Sequence, residues 1–352
     1  MLKKIKSYTF YLFIFVLTYF IYIFPYEIIN KYIFNEKNSF EYSIINSIIF
    51  TSLIIYYFKS HNTFKPLQIF VYEGMGIGFI SLAVVCLGII FKFLTDIKEL
   101  NIGISCLTLI FIISIFGLIK GRKLHVKNIQ LSSSKIKKEL NFIFISDIHL
   151  GTNKINHLLN ILKKIKNIKY DFILIGGDLI DSSSFDLKNL NILKSINKDI
   201  YFVNGNHEYY LKDFKKKIDS LRKYNIKMLI NQRVTIQDIN LIGVDDLQNV
   251  DSKINHVKRL RKENLFNLVL THKPDIWDKI KDINELMLSG HTHNGQIFPF
   301  NLIVRLKFKY VYGLYKNSNS NLYVSSGAGC WGPKIRIGTS NEIINFKLTN
   351  NN

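Results

Sequence analysis

Asp147-Ile148-His149, Gly176-Gly177-Asp178, Gly205-Asn206-His207-Glu208, His272 and Gly290-His291-Thr292-His293 hold five of the nine histidines in these 352 residues, interleaved with carboxylates and an amide. Oxygen and imidazole donors without a thiolate suit Mn, Fe, Zn, Ni or Co better than Ca or Mg. On an extended segment, residues two apart project to the same side, so Asp147 and His149 can meet a single ion. Asp178 follows a glycine pair that lets the backbone approach closely. Its two oxygens can each bind a different ion, which would hold two ions roughly 3.5–4 Å apart. Asn206 offers a neutral amide oxygen, and His272, His291 and His293 add imidazoles. Two divalent cations balanced by Asp147, Asp178 and one hydroxide leave positive charge over, which favours an anionic, phosphate-bearing substrate, and such a pair lowers the pKa of bound water. Taken singly, Gly-Asp or Gly-Asn is usually a turn and a histidine such as His272 a hydrogen-bonded loop residue. The fixed order of all five motifs is what points to metal. His61, His125, His157 and His256 belong to no motif and read as ordinary surface or interfacial residues.

To bring such ligands together, each motif must end a rigid element, and each follows an apolar run. Residues 142–145, 172–175, 201–203, 241–244, 268–270 and 286–288 read as strands, several of them rich in β-branched residues. Between them, residues 155–168, 213–224, 254–262 and 275–281 carry helical apolar spacing. This is an α/β chain whose ligands gather at one edge of a sheet. Ser182 to Ser184 mark a loop, and Asn350 to Asn352 a frayed tail.

The front third is different. Residues 8–26, 42–58, 74–91 and 101–119 contain no charged side chain, and each is close to the roughly 20 apolar residues of a bilayer crossing. Ile, Leu and Phe cover every face, so four transmembrane helices are expected rather than a buried soluble bundle. No internal acid or base suggests an ion pathway through these stretches. The first has a basic lead-in but no Ala-x-Ala-like site, and reads as an uncleaved anchor. Lys3, Lys4, Lys6, Lys59, Lys65, Lys120, Arg122, Lys123 and Lys127 fall on one side of the membrane, against Lys31, Lys37, Lys92 and Lys98 on the other. Nine against four places both termini, and with them the soluble part, in the cytoplasm of a multi-pass protein of the cell membrane. Residues 1–123 are thus expected to form the transmembrane region and residues 124–352 the second domain, joined by a basic linker around Lys120 to Leu131. Cys86 and Cys106 lie within spans and Cys330 stands alone, so nothing suggests an oxidising compartment. The net charge of +21 is scattered among Asn and Ile with no aromatic-basic pattern, so no nucleic-acid partner is expected. Basic residues near the last span would instead hold the domain close to anionic lipids.

Asp147-x-His149, Gly177-Asp178-x-x-Asp181, Gly205-Asn206-His207-Glu208, His272 and Gly290-His291-x-His293 together resemble the complete signature of the calcineurin-like metallophosphoesterases, over about Leu131 to Leu348. The resemblance implies a four-layer αββα sandwich, here preceded by an all-α transmembrane region of about four helices. It implies Asp147, His149 and His293 on one metal, Asn206, His272 and His291 on the other, and Asp178 bridging. It implies that His207 contacts the phosphate or protonates the leaving oxygen, with Asp181 orienting it. Gly295-Gln296, Gly327-Ala328-Gly329 and Gly332-Pro333-Lys334-Ile335-Arg336 are similar to a membrane-attached bacterial branch that includes phosphodiesterases related to UDP-2,3-diacylglucosamine pyrophosphatase. Arg336 is a candidate for substrate phosphate, or for a structural salt bridge. The expected reaction is hydrolysis of a phosphodiester or pyrophosphate, on a lipid-linked substrate, by in-line attack of a hydroxide bridging two divalent ions. The other readings are a sensor or scaffold without turnover, and a phosphoesterase for soluble nucleotides or phosphoproteins. Oligomeric state is not legible.

Overall fold

The apolar front third forms helices, since in hydrocarbon only a helix or a closed barrel satisfies every backbone N–H and C=O. The computed structural model describes residues 2–60, 64–318 and 320–351; His61 lies outside them. Tyr8–Phe34, Phe40–Ser60, Lys65–Leu94 and Glu99–Arg122 are four helices long and apolar enough to cross a membrane. The first is interrupted by a π turn at Tyr19–Ile23. The cause is local: Pro25 has no N–H to offer the preceding turn, so the ladder must readjust just before it. The helices also run beyond the charge-free stretches. Glu27 is part of the first, where its carboxylate accepts from Tyr19 Oη at 3.0 Å and from the Ser43 hydroxyl.

The described chain parts into two units, Met1–Lys120 with Gly332–Ile335, and Gly121–Trp331 with Arg336–Asn352. The second unit contains twelve strands: β1 Leu124–Ser132, β2 Leu140–Ile145, β3 Phe172–Ile175, β4 Asp199–Phe202, β5 Ile226–Met228, β6 Gln232–Ile236, β7 Ile239–Val244, β8 Phe266–Thr271, β9 Leu286–Ser289, β10 Gly313–Asn317, β11 Ser320–Val324 and β12 Asn341–Thr349. They form two six-stranded sheets, ordered β1-β12-β2-β3-β4-β5 and β10-β11-β9-β8-β7-β6. Strands β2 to β5 are mutually parallel, as are β7, β8, β9 and β11.

Side chains alternate across a strand, and the alternation builds the layers. Phe142, Phe144, Phe172, Leu174 and Phe346 of the first sheet meet Leu241, Leu268, Leu270, Leu286 and Leu288 of the second in a common core. The odd partners Ile143, Ile145, Ile173 and Ile175 face outward and are covered by Leu158, Ile161 and Ile165 of helix Ile155–Ile165 and by Ile218 and Leu221 of helix Phe214–Leu221. Ile242, Val244, Val269 and Met287 are covered in the same way by Ile254 and Val257 of helix Val250–Leu260 and by Trp277. Strands buried on both faces read as unbroken apolar runs, which is why those of the two sheet centres were legible. The result is the expected αββα sandwich.

One expectation is corrected. The segment read as a basic linker is β1, paired in parallel with β12 from Leu124 with Asn341 to Ser132 with Thr349. Its lysine, histidine, asparagine and glutamine side chains mark a sheet edge, where charge discourages further pairing. A fragment begun at Leu131 would lose this strand and expose the edge of β12. Strands β5, β6, β10, β11 and β12 and helix Phe300–Lys307 were also not foreseen, being short, polar or partly exposed.

Candidate metal centre

All five motifs leave the C-terminal ends of parallel strands: Asp147 and His149 after β2, Asp178 after β3, Asn206 and His207 after β4, His272 after β8, and His291 and His293 after β9. Packing the sheets face to face brings these ends together. Asp147, His149 and His272 are fully buried and Asp178 nearly so. The backbone bends sharply to reach them: Asp147, His149, Asp178, His291 and His293 all have φ between 49° and 73°. Left-handed conformations of this kind cost on the order of 1–3 kcal/mol each in a non-glycine residue, and cluster where function demands a fixed geometry. Asp147 and His149 therefore face one site through a left-handed bend, not through an extended strand.

Glycine permits two close approaches. A Cβ on Gly205 would lie 2.1 Å from Asp178 Oδ1, and one on Gly290 2.2 Å from Asp147 Oδ2. In their absence the carboxylates seat against backbone, with Asp178 Oδ1 accepting from His207 N–H at 2.9 Å and both Asp147 oxygens from His291 N–H at 3.1 Å.

The donor atoms face one another. His272 Nδ1 lies 2.9 Å from the Gly176 carbonyl, to which it must donate. This fixes Nε2 as the lone-pair nitrogen of the neutral ring. Around that lone pair stand two oxygen acceptors, Asp178 Oδ2 at 3.1 Å and Asn206 Oδ1 at 3.2 Å, and the ring nitrogen His291 Nδ1 at 3.1 Å. On the other side of Asp178, His149 Nε2 lies 3.0 Å from His293 Nε2, and His293 Nε2 lies 3.5 Å from Asp147 Oδ1. Asp178 Oδ2 is also 3.8 Å from His149 Nε2. Asp147, His149 and His293 form one group able to hold an ion, and Asp178, His272 and His291 another. Buried oxygen and imidazole nitrogen atoms converging in this way can hold a cation, and their chemistry fits a divalent transition metal.

Protonation follows the same logic. Burial pushes Asp178 up, but His272, His207 and His149 outweigh it and hold its carboxyl well below the usual range. For His272, burial opposes the charged form while Asp178 and Asp147 favour it more strongly, pushing the imidazole up to about 10. Burial and then His272 lower His291 to about 2, and burial with His149 and Arg336 lowers His293, so both keep free lone pairs. In the ion-free protein a proton on His272 therefore takes the place of metal. Its stabilising contribution is complete below the ordinary histidine pKa of about 6.5 and is lost as pH rises through about 10. Metal must displace that proton, so affinity should tighten by about tenfold per pH unit through the neutral range. Calorimetric titration of metal into the ion-free chain, in two buffers of different ionisation heat, should show proton release; buffer-independent heats would contradict this.

Most of the expected site residues are brought together: Asp147, His149, Asp178, Asn206, His207, His272, His291 and His293. Two are placed otherwise. Asp181, expected to orient His207, instead lies with Oδ2 3.3 Å from His149 Nδ1, and its other oxygen accepts from Thr152 N–H at 2.9 Å. A carboxylate there favours the Nδ1–H tautomer of His149 and leaves Nε2 for metal. Arg336 is corrected more strongly, because it is completely buried. Its guanidinium donates to the carbonyls of His293, Ser326 and Gly329 at 2.7–2.8 Å and to Asn341 Oδ1 at 2.9 Å. Its donors are committed to these neutral oxygens and no carboxylate pairs with it among the described residues, so it ties the His293 loop to the segments at 326–329 and 341.

Glu208 was missed as a functional residue. Fully buried, it accepts from Asp178 N–H at 3.0 Å, Gly205 N–H at 2.7 Å and Ile180 N–H at 3.0 Å, tying two ligand loops together. An acid three residues after Gly205 is the spacing of a capping box, a signal present in the sequence. His207 is mostly buried, with its Nε2 4.0 Å from Asp178 Oδ2 and Trp331 and Tyr210 beside its ring. Burial lowers its pKa to about 4, so the ring is neutral near pH 7.

A family model described as calcineurin-like phosphoesterase matches residues 140–308. The uncharacterized metallophosphoesterase YkoQ of Bacillus subtilis is 31% identical over 230 residues, covering 59% of this chain and 83% of that protein. The chain belongs to the calcineurin-like metallophosphoesterase family. Members of this family use divalent metals, in keeping with the donor set described above. Another relative, an uncharacterized metallophosphoesterase of Campylobacter jejuni, is 37% identical over 238 residues, 64% of this chain. The match spans 63% of that protein's length. A transmembrane protein with metallophosphoesterase domain from Bos taurus is 33% identical over 236 residues, 59% of this chain and 53% of the relative. Four long apolar helices ahead of a metallophosphoesterase domain agree with a membrane protein of this family.

Proposed function

We propose that this metallophosphoesterase is a membrane-anchored phosphodiesterase or pyrophosphatase that works with two divalent ions, drawn from Mn, Fe, Zn, Ni and Co. Asp147, His149 and His293 would hold one ion, Asn206, His272 and His291 the other, and Asp178 both. The observation that carries this reading is the position of Asp178, whose Oδ2 lies within 3.1 Å of His272 Nε2 and 3.8 Å of His149 Nε2. When bound, the ions would supply Lewis-acid activation of water and neutralisation of phosphate charge.

The chain's own residues do the rest. Asp181 and the Gly176 carbonyl set the tautomers of His149 and His272. Glu208 and Arg336 hold the ligand loops against thermal displacement. His207, neutral and partly exposed at the rim, is placed to donate a hydrogen bond to a phosphate oxygen or the leaving oxygen. The favoured substrate is lipid-linked, of the UDP-2,3-diacylglucosamine type, reached from the cytoplasmic face. Supporting this are the four apolar helices, the nine-to-four distribution of basic residues and the tail motifs.

The test is hydrolysis of bis(p-nitrophenyl) phosphate by the full chain in detergent, stripped of metal and then given Mn. Turnover restored by metal is expected. A folded, metal-loaded chain that hydrolyses neither this ester nor a lipid-linked diphosphate would refute the assignment.

A further inference from the structure

Helix Phe300–Lys307 contributes no buried residue to the fold. Leu302, Ile303 and Leu306 are 52%, 54% and 88% exposed, and Phe298 and Phe300 are exposed ahead of them. At 3.6 residues per turn, Leu302, Leu306 and Ile303 fall in that order around an arc of roughly 100°. Arg305 lies roughly 60° beyond Leu302 on one side and Lys307 roughly 40° beyond Ile303 on the other, and the helix has no acidic residue. Apolar residues lying between basic flanks are the pattern of a helix lying in a lipid–water interface, where long basic side chains reach back to anionic headgroups.

We propose that helix Phe300–Lys307, with Phe298 leading into it, inserts its apolar arc into an anionic lipid surface beside the metal centre. The helix packs against the loop that carries His293. A Cβ on Gly295, two residues after His293, would lie 2.2 Å from Asn301 Cα, so the first turn rests directly on the ligand loop. At the other end the Phe308 ring stands 5.3 Å from the His291 ring. The occupant is a bilayer because the same chain already carries four candidate spans, the last ending at Arg122 only two residues before β1 begins. Charge argues against a second copy, since two such helices face to face would oppose Arg305 and Lys307 with like charges.

Membrane contact by this helix does not depend on turnover, so its failure and that of the hydrolysis assay can be read separately. The experiment places Leu306→Trp in the full chain, in nanodiscs of anionic phospholipid with or without brominated acyl chains. Native Trp277 and Trp331 are accounted for by the unsubstituted chain. The added emission should fall by about half with brominated lipid, since an interfacial helix sits roughly 5–10 Å into the headgroup boundary. Leu159→Trp, exposed on helix Ile155–Ile165, should show no such loss. Ile303→Trp repeats the measurement should the first variant fold poorly. Equal responses at 306 and 159 would overturn the assignment. So would shielding from an aqueous quencher without response to bromine, which would mean that protein covers the helix.

Discussion

Asp178→Ala is expected to abolish metal-dependent hydrolysis, lowering kcat/KM by about 10³-fold or more. The figure follows from several kcal/mol of charge stabilisation lost with a shared ligand, at 1.36 kcal/mol per tenfold. The substitution removes the carboxylate lying 3.1 Å from His272 Nε2 and 3.8 Å from His149 Nε2. It also removes the acceptor for His207 N–H, so the loop after β4 loses one of its ties. Both kinds of damage should be visible together: metal content measured after gel filtration should fall, along with the rate. A variant that keeps two tightly bound ions and more than a tenth of the activity would show that the pair of ions is not built around this residue.

His207→Ala should behave differently. The chain should retain its metal, because Asp147, His149 and His293 on one side and Asn206, His272 and His291 on the other are untouched. The rate should still fall by about 10²–10⁴-fold, the usual contribution of a positioned proton donor. Since burial holds the imidazole near a pKa of about 4, it enters the reaction neutral, as a single N–H donor. A substrate with a nitrophenolate leaving group, which needs little protonation, should therefore lose less on substitution than one with an alkoxide leaving group. Equal losses on both would assign His207 to phosphate binding alone, and full turnover would remove it from the mechanism.

The chemistry of the site was legible because donors announce themselves by residue type. Asp147, His149, Asp178, Asn206, His207, His272, His291 and His293 were each named from motifs that end apolar runs. The apolar runs place the motifs without reference to the rest of the chain. Asp181 and Arg336 were named too, but their partners were not. Asp181 lies three residues beyond Asp178, yet it meets His149 from a different loop. Arg336 meets carbonyls of residues 293, 326 and 329, contacts that exist only after both sheets have closed. Glu208 sat inside a quoted motif, and its three backbone partners on two loops gave it a function that no spacing declares.

Contiguous runs in the sequence determined the apolar helices, because the cost of an unsatisfied peptide in lipid leaves a charge-free run of that length almost no other conformation. The same local patterns determined the α/β character of the sandwich and the identity and order of the candidate metal donors. Only the tertiary structure decided that β1 is a strand, since an edge strand is stabilised by its neighbour β12 rather than by its own apolar content. It also decided which nitrogen of His272 is free, because the Gly176 carbonyl that takes the other proton lies 96 residues away in sequence. The exposed arc of Phe300–Lys307 belongs to the same class: apolar residues in a sequence do not say whether the fold will cover them. Residue type carries donor chemistry and hydropathy locally. Partnership, tautomer and exposure arise from contacts between distant segments, and these are set when the two sheets pack together.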